Sequence, residues 1–240
     1  MDVALQRPII VTSSMFDKTI RVWNYLTGHC EYCKIILTEK EENETELDIL
    51  SVAIHPNGYY IALSDSEMIR FFHLCYRELR YYNNDSVRNE NTKKMCTLLK
   101  FSNGGHLLAA VSNKTLYILK SYTRETLREF KTSHTGVIKS IVWDENDYYV
   151  YTVGSDGVMI EYNLFNFKVE EIATKNITYS GATMFTLDRR NTNSNFSYNA
   201  IMACGVFQSK NVISQIVKMD MEKTSDGLDV LDNFLFRLLQ

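Results

Sequence analysis

The chain has 240 residues, of which 45% are hydrophobic and 23% are charged, and its formal net charge is −3. That length accommodates one large domain with a buried core, and nothing in the weakly acidic overall balance indicates binding to nucleic acid or to an anionic membrane. No apolar run approaches the roughly 20 residues of a membrane-spanning helix, and the N-terminal residues lack the pattern of a secretory signal.

Four segments, taken in chain order, follow one strand–turn–strand plan: MFDKTIRVWN (15–24), SDSEMIRFFH (64–73), AVSNKTLYIL (110–119) and GSDGVMIEYN (154–163). In each segment a small or acidic turn residue stands six positions before a large apolar residue. The pairs are Asp17 with Trp23, Ser66 with Phe72, Asn113 with Leu119, and Asp156 with Tyr162. The turn residues lie 49, 47 and 43 positions apart, and an apolar strand precedes each of them. In each unit another strand lies upstream of these two strands, and a more polar strand follows them.

Four antiparallel strands repeated at about this spacing are the signature of WD40 repeats, which form the blades of a β-propeller. The sequence therefore predicts an all-β WD40 propeller of four to five blades, and an incomplete one, since seven blades are usual. We expect blades over residues 1–172, a degenerate fifth blade with a polar insert over 173–222, and a tail over 223–240 that contains a short amphipathic helix. An open propeller exposes strand edges, so a fragment, a truncated product or a propeller closed by a partner is expected.

Resemblance to WD40 repeats implies a structural role for four polar residues of the last clear unit. His134 is expected to bond the carboxylate of Asp156, which caps its turn, while Thr152 and Tyr162 complete a buried chain of hydrogen bonds. The first unit retains part of this set: Ser13, Asp17 and Trp23. The two middle units lack it, and we expect them to rely on apolar packing.

Patterns that carry chemistry are weak in this sequence. HCEYC (29–33) contains one pair of potential metal ligands, Cys30 and Cys33, whereas a structural zinc site needs four. The other cysteines are Cys75, Cys96 and Cys204, and this odd, scattered set fits a reducing compartment. SNGG (102–105) lacks the lysine and helix of a phosphate loop and is typical of a β-turn. The sequence predicts no catalytic residue, no cofactor and no metal site.

Two surface features are candidate interaction sites. EKEENETELD (39–48) carries six acidic residues, among them Glu41 and Glu42, and is either a solvated loop between blades or an acidic patch that attracts basic partners. Tyr81 and Tyr82 lie near the outer edge of the second unit, where tyrosine either anchors an interface or simply covers an outer strand. We predict that these four residues contribute to a protein interface.

Longer strings carry a more specific resemblance than the WD40 spacing does. RPIIVTSSMFDKTIRVWNY (7–25), HPNGYYIALSDSEMIRFFHL (55–74), FSNGGHLLAAVSNKTLYIL (101–119) and HTGVIKSIVWDENDYYVYTVGSDGVMIEYNL (134–164) resemble consecutive pieces of the cilia- and flagella-associated protein 57 family. The resemblance covers about residues 3–172. Members of that family have two N-terminal propellers followed by a long coiled coil, and they help to place inner-arm dyneins on the doublet microtubule. This chain departs from that plan because no heptad segment follows and the residues beyond 172 do not resemble the family.

The resemblance implies a non-catalytic scaffold of the motile axoneme, located in the cilium or flagellum, with protein partners such as inner-arm dynein subunits and coiled-coil proteins. The alternative is a cytosolic or nuclear WD40 adaptor that recognises ubiquitin-ligase substrates or binds chromatin. The endings WNYL and YNLF disfavour a ligase adaptor, because such adaptors often end a repeat with Trp-Asp-x-Arg. We predict no nucleic-acid, membrane or small-molecule ligand.

Overall fold

A computed structural model of the chain describes residues 1–36, 48–75, 78–81, 93–156 and 158–164, together with five strands between residues 171 and 232. Twenty strands joined by turns make up these residues, and no helix occurs among them. Within this part of the chain there is accordingly no helix that is long and apolar enough to cross a membrane. The strands fall into two compact units, residues 1–132 and residues 133–240.

The first unit consists of three four-stranded antiparallel sheets, each hydrogen-bonded in chain order. Sheet 1 contains β1 (Asp2–Val3), β2 (Ile9–Ser14), β3 (Thr19–Asn24) and β4 (His29–Ile35). Sheet 2 contains β5 (Ile49–Ile54), β6 (Tyr60–Asp65), β7 (Ile69–Cys75) and β8 (Glu78–Tyr81). Sheet 3 contains β9 (Leu98–Phe101), β10 (Leu107–Ser112), β11 (Thr115–Lys120) and β12 (Thr126–Lys131).

The second unit contains two more sheets of the same order. Sheet 4 contains β13 (Ile138–Trp143), β14 (Tyr149–Gly154), β15 (Val158–Asn163) and β16 (Glu171–Asn176). Sheet 5 contains β17 (Ala182–Asp188), β18 (Asn199–Gln208), β19 (Asn211–Asp220) and β20 (Leu228–Asp232). The predicted fold class, an all-β propeller built from four-stranded antiparallel blades, is confirmed.

Alternation along β6 shows how the blades of the first unit pack. Successive side chains of a strand point to opposite faces of the sheet. Ile61 and Leu63 join the apolar cluster shared with sheet 1, whereas Ala62 between them joins the cluster shared with sheet 3. Sheet 2 is thus buried on both faces, and each fully buried Ile or Leu contributes about 1.5–3 kcal/mol relative to an exposed one.

The register of the sheets places the four predicted apolar residues at equivalent positions. Trp23, Phe72, Leu119 and Tyr162 pair with Ile10, Ile61, Leu108 and Val150 on the preceding strand, respectively. Phe72, Leu119 and Tyr162 are each at most 2% exposed. The repeat read from the sequence therefore corresponds to one structural site filled by different large side chains.

The turn between the first two strands of a blade also repeats. In the β5–β6 turn the amide of Gly58 donates to the carbonyl of His55, and the amide of His55 donates to the carbonyl of Tyr60. The same bonds join residues 102, 105 and 107 in sheet 3 and residues 144, 147 and 149 in sheet 4. The residue that donates the first of these bonds has φ between +61° and +77° in all three turns, which explains glycine at two of them.

The expected helix of the C-terminal tail is wrong over Leu228–Asp232, which forms β20 and pairs with β19. A short apolar run does not distinguish helix from strand by periodicity alone, and an isolated helix this short is marginal in water. The open edge of β19 offers unpaired main-chain donors and acceptors instead. Residues 233–240 lie outside the described residues.

Candidate functional site

The polar residues predicted to form a network meet within sheet 4. His134 Nδ1 lies 3.1 and 3.2 Å from the two carboxylate oxygens of Asp156, and His134 Nε2 lies 2.9 Å from Thr152 Oγ1. An ionised carboxylate only accepts hydrogen bonds, so Nδ1 donates to Asp156, while Nε2 pairs with the threonine hydroxyl. His134 is 2% exposed and Thr152 is fully buried, which leaves neither group accessible to a substrate.

The carboxylate of Asp156 also organises the backbone around it. It accepts hydrogen bonds from the amides of Thr135, Gly136 and Val158 at 2.8, 3.2 and 3.1 Å. Burial by itself raises the pKa of Asp156, but the bonds from the Gly136 and Val158 amides and from His134 outweigh it and lower the pKa below its ordinary value. Asp156 therefore ties the segment before β13 to the β14–β15 turn in its charged form.

Tyr162 occupies the position of the aromatic member of this network. Its side chain is fully buried on β15 opposite Val150, while Thr152 pairs with Ile160 on the same strand. Thr152 and Tyr162 thus lie on adjacent strands, Asp156 lies in the turn that joins them, and His134 lies in the segment before β13. The hydrogen bonds of His134 run to Asp156 and Thr152, and the part of the Tyr162 hydroxyl in the network stays a prediction.

In sheet 1 the sequence analysis placed the hydroxyl partner of Trp23 one residue too late in the chain. The indole N–H of Trp23 donates to Thr12 Oγ1 at 2.9 Å, so the hydroxyl partner is Thr12 rather than Ser13. Adjacent residues of a strand face opposite sides, and a slip of one position therefore moves the side chain to the wrong face. Thr12 occupies the place in β2 that Thr152 occupies in β14.

Asp17 caps its own turn. Its Oδ1 accepts from Thr19 Oγ1 at 2.7 Å, and its Oδ2 lies 2.5 Å from Arg21 Nη2. The hydrogen bond from the Thr19 hydroxyl, with a second from Ser14, lowers the pKa of Asp17 to about 2. Asp17 therefore stabilises the β2–β3 turn.

In sheet 2 the turn acceptor is Asp65, which the sequence analysis missed in favour of Ser66. Asp65 Oδ1 accepts from the amides of Glu67 and Met68 at 2.7 and 2.8 Å, and Oδ2 lies 2.5 Å from Arg70 Nε. The side chain of Asp65 is fully buried and that of Arg70 is 6% exposed. The six-residue spacing failed because the aspartate takes a different place in turns of equal length. Ser14 pairs with Thr19 and Ser64 with Ile69, but Asp17 is the third residue after Ser14 whereas Asp65 directly follows Ser64.

The two cysteines of HCEYC lie on β4, the outermost strand of sheet 1, and both are exposed. Among the described residues no three His, Cys, Asp or Glu side chains come close enough to hold a metal ion. Cys30 Sγ lies 3.2 Å from the carbonyl of Tyr32.

Most of the predicted interface falls where the structure gives no side-chain detail. Tyr82, Glu41 and Glu42 lie outside the described residues, and Tyr81 is described only as the last residue of β8, where it pairs with Phe72. These residues remain a prediction.

The described residues contain a different candidate surface, which we name the aromatic end. It is the end of sheets 1–3 formed by the β1–β2, β3–β4, β5–β6, β9–β10 and β11–β12 turns. Hydrogen bonds hold these turns together: the amide of Gln6 donates to the carbonyl of Pro56 at 3.1 Å, and the amide of Ser121 donates to that of His106 at 3.0 Å. Five large apolar or aromatic side chains are exposed on it: Leu5, Tyr25, Leu26, Tyr59 and Tyr122.

Cationic groups accompany the aromatic side chains at this end. The Arg7 guanidinium lies 4.5 Å from the ring centroid of Tyr59 and donates to the carbonyl of Gly58 at 3.1 Å. Arg124 lies 4.9 Å from the ring centroid of Phe71. Tyrosine and arginine are the residues enriched at the energetic centres of protein interfaces, so this end has the composition of a docking surface.

Comparison with known proteins gave no matching family model but several relatives. The chain is 32% identical over 184 residues to cilia- and flagella-associated protein 57 of Mus musculus, a match that covers 76% of the chain. It is 31% and 30% identical to cilia- and flagella-associated proteins 57 A and 57 C of Tetrahymena thermophila, over 67% and 79% of the chain. These matches span 13%, 11% and 15% of the relatives' own lengths.

Proposed function

Because this chain belongs to the cilia- and flagella-associated protein 57 family, we propose that it is a non-catalytic propeller scaffold of the motile ciliary axoneme that helps to place the inner dynein arms. Its blades supply a rigid support, and the aromatic end supplies the contact with other axonemal proteins. The observation that carries the proposal is the concentration of exposed tyrosine and leucine side chains on one end of the first unit.

The polar network supports a scaffold rather than an enzyme. A catalytic acid–base pair needs to reach a substrate atom, whereas His134 is 2% exposed and both ring nitrogens are engaged by Asp156 and Thr152. These contacts tie the segment before β13 to β14 and to the β14–β15 turn. A scaffold needs shape and a few desolvated anchors, which the exposed tyrosines provide.

Localisation combined with biochemical fractionation tests the proposal. The tagged chain, expressed in ciliated cells, is expected to remain with demembranated axonemes and to be released by the salt extraction that releases inner-arm dyneins. The double variant Tyr59→Ala/Tyr122→Ala should reduce axonemal retention at unchanged expression, whereas Phe16→Ala, which removes a 97% exposed aromatic at the opposite end of sheet 1, should not. A chain found in the nucleus or the soluble cytosol would refute the proposal in favour of an adaptor role.

A further inference from the structure

A small aromatic-walled cavity opens at the aromatic end between sheets 2 and 3. Its volume is about 90 Å³, and its walls are His55, Tyr60, Phe71, Phe101 and Tyr122, with Ser121 and Arg124 completing them. The ring centroids of His55 and Phe101 lie 5.3 Å apart, and those of Tyr60 and Tyr122 lie 6.0 Å apart at nearly a right angle. Edge-to-face contacts of this kind hold the walls in place.

The chemistry of the walls selects an uncharged apolar group. The amide of Asn57 donates to His55 Nδ1 at 3.2 Å, and Tyr122 Oη lies 3.4 Å from His55 Nε2. Burial lowers the pKa of His55, so the ring stays neutral at physiological pH. Aromatic faces also attract cations, but the Arg124 guanidinium already covers the face of Phe71 and would repel a second cation. A cavity of about 90 Å³ has room for several water molecules or for one aliphatic side chain.

The backbone conformation of Arg124 also bears on the kind of ligand that this cavity accepts. Arg124 has φ +61°, and its amide donates to the carbonyl of Lys120, as that of Gly28 (φ +72°) donates to Asn24 in the equivalent β3–β4 turn. A residue with a side chain is strained in this conformation, and glycine avoids that strain. The guanidinium stands at the cavity despite the strain, while Lys120 and Glu125 pair with each other at 2.9 Å. The turn therefore presents a net positive charge beside an apolar hole.

We propose that this cavity is the anchor site for an acidic peptide segment of a protein partner, which inserts an aliphatic side chain between Phe71 and Tyr122 and pairs an adjacent carboxylate with Arg124. This inference rests on the proposed scaffold function and names the chemistry of its docking site. The aliphatic group fills the cavity, and the carboxylate complements the positive rim.

The test selects peptides against the purified full chain from a displayed library of random peptides about a dozen residues long. Enriched peptides are expected to share Leu, Ile or Val next to Asp or Glu. With one enriched peptide carrying a fluorophore, anisotropy should show binding at least about tenfold weaker to Arg124→Gly and to Tyr122→Ala, since about 1.4 kcal/mol corresponds to tenfold. Arg124→Gly should fold at least as stably as the wild type because glycine suits this turn.

Control variants and a charge exchange distinguish binding at this cavity from non-specific binding. Phe16→Ala and Lys114→Ala remove an aromatic and a cation at the opposite end of the first unit, and binding should be unchanged. Arg124→Glu should lose the acidic peptide and recover binding when the peptide's carboxylate residue is replaced by lysine.

Several results would overturn the inference: no enriched peptide, enriched peptides that are basic or lack an aliphatic residue, binding of a small apolar molecule alone, or equal binding to all the variants. An axonemal chain whose pocket variants bind peptide normally would defeat this inference and leave the scaffold function standing. A chain that is not axonemal but binds acidic peptides through Arg124 would refute the scaffold function and leave this inference standing.

Discussion

Replacing His134 with alanine tests whether the polar network holds sheet 4 together. The substitution removes a bond to the Asp156 carboxylate and a bond to the Thr152 hydroxyl. A hydrogen bond to a charged group contributes about 1.5–3 kcal/mol and a neutral one about 0.5–1.5 kcal/mol, and the hydroxyl of the fully buried Thr152 is left without this partner. We therefore expect the free energy of unfolding to fall by about 3 kcal/mol.

Urea denaturation followed by tryptophan fluorescence measures this loss, because Trp143 of β13 is 3% exposed and reports on the same sheet. Thr152→Val removes the hydroxyl at nearly constant volume and should cost about 1–2 kcal/mol alone. In the double variant with His134→Ala we expect a coupling of about 1 kcal/mol, as for residues in direct contact. His29→Ala on exposed β4 is the control and should stay within about 0.5 kcal/mol of the wild type. A loss below about 1 kcal/mol for His134→Ala, or additive effects in the double variant, would refute the network.

Three further predictions concern groups in the first unit. Burial raises the pKa of Cys96 to about 12, so iodoacetamide at about pH 8 should alkylate exposed Cys30 in the folded chain and Cys96 only after unfolding, as read by peptide mass mapping. Gly105→Ala should destabilise the fold by more than about 2 kcal/mol in thermal unfolding because its Cβ would overlap the His55 ring at φ +77°, whereas Gly28→Ala, with open space at φ +72°, should lose only about 1 kcal/mol. The pKa of His55 is lowered from 6.5 by burial, so the unfolded chain takes up a proton below that pH that the folded chain does not; stability should fall as the pH drops below it, and less so in His55→Gln.

The strands and the buried apolar positions were predictable because apolar residues recur at regular intervals along the chain. β2 and β10 coincide with the apolar runs read from the sequence, and the positions of Phe72 and Leu119 follow from their spacing. Burial tolerates exchange of one large side chain for another, so the position is recognisable even when its residue changes. The regular spacing of these positions along the chain predicted the propeller even though most repeats lack the tryptophan.

Polar details were less predictable because they depend on single-residue register and turn length. Thr12 and Ser13 are chemically similar neighbours, and only the pairing of β2 with β3 decides which of them faces Trp23. Asp65 was missed because a fixed spacing assumes that the aspartate takes the same place in every turn, whereas Asp65 directly follows Ser64 and Asp17 is the third residue after Ser14. The cavity of the aromatic end was missed for a different reason: its walls come from turns and strands of two sheets, and no local sequence pattern joins residues as distant as His55 and Tyr122.

The contacts that stabilise the first unit and the surface that we propose binds partners are separate, and this separation makes the proposed function testable. The apolar clusters and the Asp65–Arg70 pair are buried between and within the blades, whereas Tyr59 and Tyr122 stand about half exposed or more on turns whose main-chain bonds do not depend on these side chains. Truncating Tyr59 or Tyr122 removes only the contact with Arg7 or the contacts with Tyr60 and His55, and should change the free energy of unfolding by about 1 kcal/mol. An accompanying loss of partner binding would then report on the interface itself, because the blades that support it would be unchanged.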